Sequence, residues 1–478
     1  MNAAKNGAEQ QSDQPDTQKR SVETVIAILR QRFSDRVQTG EAICAQHGHT
    51  LTWIKNQPPD VVVWPNSTEE VADIVQIAAQ HRVPVIPFGA GTSLEGHVNA
   101  PKGGISLDFS NMNQVLEVNE RDLDCVVQPG VSRRAINEHL RDMGLFFPID
   151  PGAEEATLGG MAATRASGTN AVRYGTMRDN VLNMTVVMAD GSIVKTGGRA
   201  RKSAAGYDLT RLLIGSEGTL GIITELTVRL YGIPETILAA VCPFKTLDGA
   251  CNTVIQAIQL GLGLARMELL DEMQLYAINK HSKTSYEESP TLFLEFHGTP
   301  VSARDQVEQF KEIAEAEGAL RFDWAEREED RSQMWKARHE VYWAVRSTWP
   351  GKETLATDVC VPISRLAECV LETKQDIESI GLVAPIVGHV GDGNFHTSPV
   401  FDSSDDEERK KVEGFLGRLA DRAIAMDGTC TGEHGIGQGK IKYLEAELGA
   451  GVDIMRQIKQ ALDPLNILNP GKIVPPLS

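Results

Sequence analysis

Three stretches of this chain are nearly empty of large side chains, and they limit how it can fold more than any other feature. GAGTSLEG spans residues 89 to 96, LGGMAATRASGTNAVRYG residues 158 to 175, and GSEGTLGIITE residues 215 to 225. Segments so rich in glycine, alanine, serine and threonine cannot fill a core. They turn tightly, or they let a flat, extended ligand lie directly against backbone. The first follows VPVIPF, a short apolar run that reads as a strand, and so has the position of a loop that cradles phosphate with its N–H groups. Its spacing is G-x-G-x-x-x-x-G rather than the dinucleotide fingerprint, so a tight turn is the other reading. GIGQGKI has the outline of a P-loop, but His434 stands where the first glycine belongs and Ile441 where Ser or Thr belongs. ATP is therefore a poor fit. Three such stretches in one region argue for a large cofactor.

The 478 residues allow two or three domains, at roughly 150 residues each. A net charge of -18 disfavours a nucleic-acid partner, because phosphate binding needs a basic footprint. No apolar run reaches the ~20 residues that span a bilayer; peripheral membrane contact stays open. The polar start, MNAAKNGAEQQSDQPDTQKR, lacks the apolar centre of a secretory signal, and residues 1–20 read as a disordered tail. Seven cysteines, an odd number with no C-x-x-C pair, argue against a disulfide framework or a cysteine zinc knuckle. A reducing, cytoplasmic compartment is the simplest expectation.

Ser67 and Glu70 form a capping-box pattern ahead of Val71, Ile74, Val75 and Ala78, one apolar helix face. GISLDF and CVVQ read as strands. MTVVMADGSIV reads as a hairpin turning at Asp190-Gly191. ELTVRL should point Leu226, Val228 and Leu230 inward and Thr227 and Arg229 outward. Beyond about residue 235 the composition shifts, and strands such as TLFLEFHG, with Leu292, Leu294 and Phe296 alternating, interleave with amphipathic helices. The last helix, IMRQIKQALDP, stops at Asp463-Pro464.

VGHVGDGNFH, residues 387 to 396, and CTGEHGIG collect possible ligands in glycine-rich loops. APIV and HTSPV flank the first as short strands, which sets His389 and His396 at the ends of a hairpin, with facing Cβ atoms ~5 Å apart. Glu433 can supply a third ligand; two histidines and one carboxylate suit zinc or manganese with positions left open. The alternative is two structural histidines. In an extended segment Glu433 and His434 point to opposite sides, so His434 could act on a substrate as a neutral base. Otherwise Glu433 caps a helix and His434 bonds locally. Arg338, in WKARHEVYWAV, reads as a solvated helical charge, and Asp392 as a turn residue.

PFGAGTSLEG, DPGAEEATLGGMAATRASGTNAVRYGTMRDNV and GSEGTLGIITELTVRL resemble the flavin-binding domain of the vanillyl-alcohol-oxidase superfamily. GHVGDGNFH, GTCTGEHGIG and LDPLNILNPGKI narrow the likeness to the FAD-dependent D-2-hydroxyacid dehydrogenases. TDVCVPISRL and KSAAGY point within these to the D-lactate dehydrogenase (cytochrome) group. The resemblance covers the chain from about residue 45 onward.

It implies an α+β fold: a PCMH-type FAD-binding domain of two subdomains (residues 21–235), an α+β cap or substrate domain (236–425), and a C-terminal segment (426–478) that returns to the FAD domain and completes the active site. Gly89, Ala90, Gly91, Thr92 and Ser93 would hold the pyrophosphate. Pro151, Gly159, Gly160, Ser167, Gly168, Asn170, Gly175, Glu217, Gly218, Gly221 and Ile223 would line the rest, and Asn469 would reach the flavin ring. Thr92 stands where some relatives attach FAD through histidine, so the flavin should be non-covalent; His97 is a weaker candidate for such a bond. His389, His396 and Glu433 would hold a divalent zinc or manganese. His434 would take the proton of the C2 hydroxyl while hydride passes to flavin N5. Arg338 would pair with the substrate carboxylate, and Asn394 would be a second contact. Relatives acting on D-2-hydroxyglutarate carry a lysine near the aspartate of ATDVCVP; here the neighbourhood is Leu355-Ala356-Thr357, which points to a monocarboxylate such as D-lactate. D-2-hydroxyglutarate and glycolate are the competing substrates, and a metal-dependent hydrolase or a nucleotide-binding protein without chemistry the competing classes. Cytochrome c, a quinone or an electron-transfer flavoprotein would take the electrons, with peripheral inner-membrane contact in view. Oligomeric state is not legible.

Overall fold

The computed structural model describes residues 14–475. Residues 1–13 of the expected tail lie outside the described residues. The rest of that tail is not irregular: it opens the helix Gln14–Phe33. Val22, Val25, Leu29 and Phe33 are buried at helical spacing, so packing of one face holds a segment that starts polar. Among the described residues no helix is long and apolar enough to cross a membrane.

The first half is built on two sheets. In one, Val61–Val63, Ile105–Asp108 and Val85–Phe88 run parallel, with Val37–Gln38 antiparallel at the edge. Helix Thr68–His81 connects two of these strands and buries Val71, Ile74, Val75 and Ala78 as expected. Only half of the capping box forms. Ser67 Oγ accepts the Glu70 N–H at 3.3 Å, but the Glu70 carboxylate turns to the Asn66 N–H and to Arg36. The second sheet is antiparallel, in the order Val115–Asn119, Asp124–Val127, Ile222–Arg229, Val181–Val187, Ile193–Lys195. Its last pair is the expected hairpin, turning at Gly191 with φ +81°. Thr227 breaks the expected alternation. It is buried, because both faces of Ile222–Arg229 are covered, and its Oγ1 donates to Asn183 Oδ1 at 3.2 Å.

The second half is a seven-stranded antiparallel sheet ordered Asp323–Ala325, Thr236–Pro243, Thr291–Gly298, Leu264–Leu270, Ile386–His389, Asn394–Thr397, Val359–Cys360. Leu292, Leu294 and Phe296 pack in one core with residues of helices Leu247–Gln259, Pro300–Ala316, Leu366–Ser379 and Asp406–Ala425. The opposite face is buried too: Phe293, Glu295 and His297 lie there, beside Glu268 of the neighbouring strand. This polar face meets the first half of the chain. Arg266 reaches across to Asn170 Oδ1 at 2.9 Å and Asp150 Oδ2 at 3.3 Å, and the Tyr174 hydroxyl lies 2.8 Å from His297 Nδ1.

Helix Gly451–Leu462 ends where Asp463 turns back to accept the N–H groups of Ile467 and Leu468, at 3.1 and 2.8 Å. The tail then returns to the first sheet. Val85 N–H donates to Ile467 O at 2.8 Å and Asn469 N–H to Val85 O at 2.9 Å. Ile467 and Leu468 join that sheet's core.

Candidate active site

Ile386–His389 pairs with Asn394–Thr397 in a register that sets Val387 opposite His396. His389 and His396 are thus diagonal partners on one face rather than facing ones, with ring centroids 5.3 Å apart. A one-residue offset would have put one of the rings on the far side of the sheet. Glu433 Oε1 lies 3.2 Å from His389 Nε2 and 3.3 Å from His396 Nε2. Among the described residues these three side chains form one group whose ligand atoms lie within 4.8 Å of one another.

The far sides of both rings are held. His396 Nδ1 lies 2.8 Å from Thr357 O, a carbonyl that can only accept, so Nδ1 carries the proton. His389 Nδ1 lies 2.7 Å from Glu268 Oε1. With both Nδ1 atoms committed, the two Nε2 atoms face one carboxylate oxygen, and either a proton on His389, whose affinity Glu268 and Glu433 raise, or a metal cation satisfies that contact. Glu433 Oε2 accepts from Ser167 Oγ at 2.7 Å. The donor set fits a divalent ion.

His434 departs from the expected geometry. It does not point away from Glu433 but lies flat against the same His396, centroids 5.1 Å apart and planes 8° from parallel. The cause is in the backbone. Asp358 Oδ2 accepts the N–H of Glu433 at 2.9 Å and of His434 at 2.8 Å. Successive N–H groups of a strand diverge; here they converge on one anion, so the segment is a turn, and Gly435 with φ +80° completes it. His434 Nδ1 is buried without a partner. Burial, with help from His396 and Lys440 and against the pull of Asp358, pushes the imidazole down to about 4, so it is neutral at pH 7.

Arg338 is buried, not solvated. Its Nε and Nη2 lie 2.8 and 2.5 Å from Glu268 Oε2, and Glu268 is itself inaccessible. Although burial raises the Glu268 carboxyl, His389 and Arg338 hold it below its ordinary value. Asn394 Nδ2 donates to Asp358 Oδ1 at 2.7 Å and to Val359 O at 2.8 Å, while its Oδ1 is buried and unpartnered. Asp392 sits in the turn, as expected.

The three small-residue stretches converge. A Cβ on Gly89 would strike Thr157 Oγ1, and one on Gly218 would strike Pro87, in the strand that leads into the first loop. Gly215 and Glu217 donate their N–H groups to Ala162 and Ala163. In the first loop Gly91 has φ +66°, Ala90 and Thr92 are exposed, and Ser93 Oγ is buried without a partner, as is His97 Nδ1 nearby. These orphaned polar atoms beside a bare backbone fit a bound cofactor. Several glycines serve protein packing as well: Gly159 against Pro129, Gly160 against Thr157, Gly168 against Asp150, Gly175 against Asp179, Gly221 against Val186. Ile223 is part of the core of the antiparallel sheet, and Pro151 is half-buried beside Asp150.

Four polar side chains expected to line or reach the cofactor also bond protein. Ser167 holds Glu433. Asn170 binds Pro148 O and Arg266. Glu217 accepts the N–H groups of Ile436 and Gly437 at 2.7 and 2.8 Å. Asn469 Nδ2 ties the tail to His97 O and Glu217 O. Sequence reasoning also missed Glu268, Asp358 and Lys440. Asp358 stood in the quoted TDVCVP, and its signal was a lone carboxylate at the entry to an apolar strand.

Two family models cover the chain: "FAD binding domain" matches residues 59–197 and "FAD linked oxidases, C-terminal domain" residues 233–473. A probable D-lactate dehydrogenase, mitochondrial, of Danio rerio is 50% identical over 95% of this chain and 92% of its own. A D-lactate dehydrogenase [cytochrome], mitochondrial, of Arabidopsis thaliana is 49% identical over 87% and 74%. A glycolate oxidase subunit of Bacillus subtilis is 37% identical over 87% and 89%. Among solved structures, 4-ethylphenol oxidase from Gulosibacter chungangensis superposes with a TM-score of 0.78 at 21% identity, covering 95% of this chain and 97% of that one. p-Cresol methylhydroxylase superposes with a TM-score of 0.79 at 16% identity and the same coverage. These two share the fold. The chain belongs to the FAD-linked oxidases, in the D-lactate dehydrogenase (cytochrome) family, and is an FAD-dependent oxidoreductase acting on CH–OH groups.

Proposed function

We propose that the protein oxidises the C2 hydroxyl of a small D-2-hydroxy monocarboxylate, D-lactate or a near homologue, to the 2-oxo acid, with FAD held non-covalently. The observation that carries this reading is the convergence of His389 and His396 Nε2 on Glu433 Oε1, beside a neutral His434 whose Nδ1 has no partner. The names of the Danio and Arabidopsis relatives support the substrate class. A hydrolase built on the same three ligands would leave the FAD-binding half without a role.

A zinc or manganese ion on His389, His396 and Glu433 would supply polarisation of the hydroxyl oxygen, and FAD would supply the hydride acceptor at N5. His434 takes the hydroxyl proton at Nδ1; a neutral base is the form this requires at pH 7. Asn394 Oδ1 offers an acceptor that orients the substrate. Arg338 uses one edge of its guanidinium on Glu268 and has the other for a carboxylate. Exposed Ala90 and Thr92 offer no ring nitrogen to the flavin; His97 Nε2 lies 3.2 Å from Glu217 Oε1 without a hydrogen bond to it.

The monocarboxylate preference rests on Leu355, Ala356 and Thr357, which line a cavity of about 70 Å³ with Leu51 and Trp53. Lys440 also lines it, but its Nζ donates to Asp358 O at 2.9 Å and lies 3.6 Å from both Glu95 Oε1 and Asp358 Oδ2. That ammonium is already compensated, so a second substrate carboxylate would be buried unpaired. Relatives from Arabidopsis and two yeasts carry "cytochrome" in their names, which supports a haem protein as acceptor over a quinone or an electron-transfer flavoprotein.

The test is anaerobic mixing of the purified yellow protein with D-lactate, L-lactate, glycolate and D-2-hydroxyglutarate. D-lactate should bleach the flavin fastest and L-lactate should not bleach it. Faster bleaching by D-2-hydroxyglutarate or glycolate would overturn the assignment.

A further inference from the structure

We propose that Asp358 is the positioning residue that shapes this active site, an inference that rests on the reading of His434 as the base. Asp358 is 1% exposed and lies just before the edge strand Val359–Cys360 of the cap sheet. One of its oxygens, Oδ2, accepts Glu433 N–H at 2.9 Å, His434 N–H at 2.8 Å and Thr431 Oγ1 at 2.8 Å. The other, Oδ1, accepts Asn394 Nδ2 at 2.7 Å. The preceding carbonyl, Thr357 O, fixes His396 Nδ1. Two consecutive residues of the cap therefore set the direction of a metal-ligand carboxylate, the base, a substrate contact and one metal-ligand imidazole.

The carboxylate is what makes the turn. One oxygen here takes three donors, and its negative charge strengthens each of those bonds. The far end of the same loop is held the same way, by Glu217 on the N–H groups of Ile436 and Gly437. Glu217 comes from the FAD-binding half and Asp358 from the cap. The CTGEHGIG loop is thus clamped between two buried carboxylates, one from each half of the chain. This places His434 and Glu433 against His396, where sequence alternation would have separated them.

Asp358→Asn keeps the shape, removes one acceptor and takes a negative charge from beside Lys440, which keeps Asp358 O and Glu95 as partners. With Asn394 held by Val359 O as it stands, a donor faces a donor whichever way the new amide turns: Asn394 Nδ2 on one side, or the loop N–H groups on the other. The holoenzyme is mixed anaerobically with D-lactate, and flavin content and thermal midpoint are measured alongside. The maximal rate of flavin reduction should fall about 100-fold, the scale of an ångström's misplacement. The half-saturating D-lactate concentration should move less than about threefold, because the loss is in the transition state rather than in binding. Reduction by dithionite should be unchanged. Thr431→Val, which removes one donor and leaves the charge, should lose roughly tenfold by the same readout. A flavin-replete Asp358→Asn protein that reduces at the wild-type rate overturns the proposal, as does a loss confined to half-saturation. If that variant fails to keep flavin, Thr431→Val decides alone. His434→Gln in the same series separates the two readings. Wild-type reduction by His434→Gln removes the base assignment and the proposal with it; wild-type reduction by the Asp358 and Thr431 variants alone removes only the positioning role.

Discussion

The guanidinium of Arg338 and the carboxylate of Glu268 form a buried pair, with Nε 2.8 Å and Nη2 2.5 Å from the same oxygen. The other Glu268 oxygen lies 2.7 Å from His389 Nδ1. One carboxylate thus orients both the arginine proposed to meet the substrate and a histidine proposed to hold the ion.

Replacing that carboxylate should therefore have two separable effects. Glu268→Gln leaves the buried Arg338 charge without its counter-ion, which costs on the order of 3–5 kcal/mol. It also weakens the hold on the His389 tautomer, which typically lowers metal affinity 10–100-fold. Thermal unfolding checks the first and metal titration of the purified variant the second. A Glu268→Gln protein as stable as wild type would show that Arg338 finds other compensation.

Metal removal gives an independent check on the ligand set. Dialysis against a strong chelator should abolish reduction by D-lactate while leaving the flavin spectrum intact, and zinc or manganese should restore it. Glu433→Gln should retain at least about tenfold less metal by elemental analysis, since a neutral amide replaces the anionic ligand between two imidazoles. Full activity of metal-free protein would remove the ion from the mechanism.

What the sequence revealed and what it hid divide along chain separation. His389 and His396 were legible because they stand seven positions apart in one hairpin, and glycines marked the turn. The small-residue stretches were legible as a set because emptiness of side chain is itself a signal. The partners of Ser167, Asn170, Glu217 and Asn469 were not. Each is satisfied by atoms from a distant segment: Ser167 by Glu433, Asn170 by Arg266, Glu217 by the loop after His434. A polar residue in a glycine-rich run carries no mark of whether a ligand or another loop will meet it. Glu268 was hidden for a similar reason: its partners Arg338 and His389 come from distant segments. Alternation failed at Thr227 because both faces of its strand are covered.

Charge at position 356 should control which hydroxy acid is accepted. Ala356 lines the cavity beside Thr357 and brings no cation. In Ala356→Lys, an added ammonium could pair with a distal carboxylate, and a charge-assisted bond of this kind contributes about 1.5–3 kcal/mol. The ratio of D-2-hydroxyglutarate to D-lactate turnover should rise at least about tenfold. An unchanged ratio would place the substrate's distal end elsewhere.

The returning tail should carry a pH dependence of stability of its own. Lys472 is 2% exposed, and its Nζ lies 2.7 Å from Asn99 O and 3.1 Å from Asn469 Oδ1, both neutral acceptors. Burial pushes its ammonium down to about 7, with only partial relief from Glu217. The unfolded chain keeps the ordinary lysine value of about 10.4. Between these two values the unfolded state binds more protons than the folded one, so stability rises with pH across that window, by up to ~1.4 kcal/mol per unit. Below about 7 both states hold the proton, and the destabilisation is present in full and constant. Lys472→Met keeps the chain length and removes the titration. The stability of wild type relative to this variant should therefore grow by ~2 kcal/mol between pH 7 and 9, read as diverging thermal midpoints. Parallel profiles would mean that Lys472 keeps its proton throughout, and that the two amide and carbonyl oxygens around it compensate a full charge.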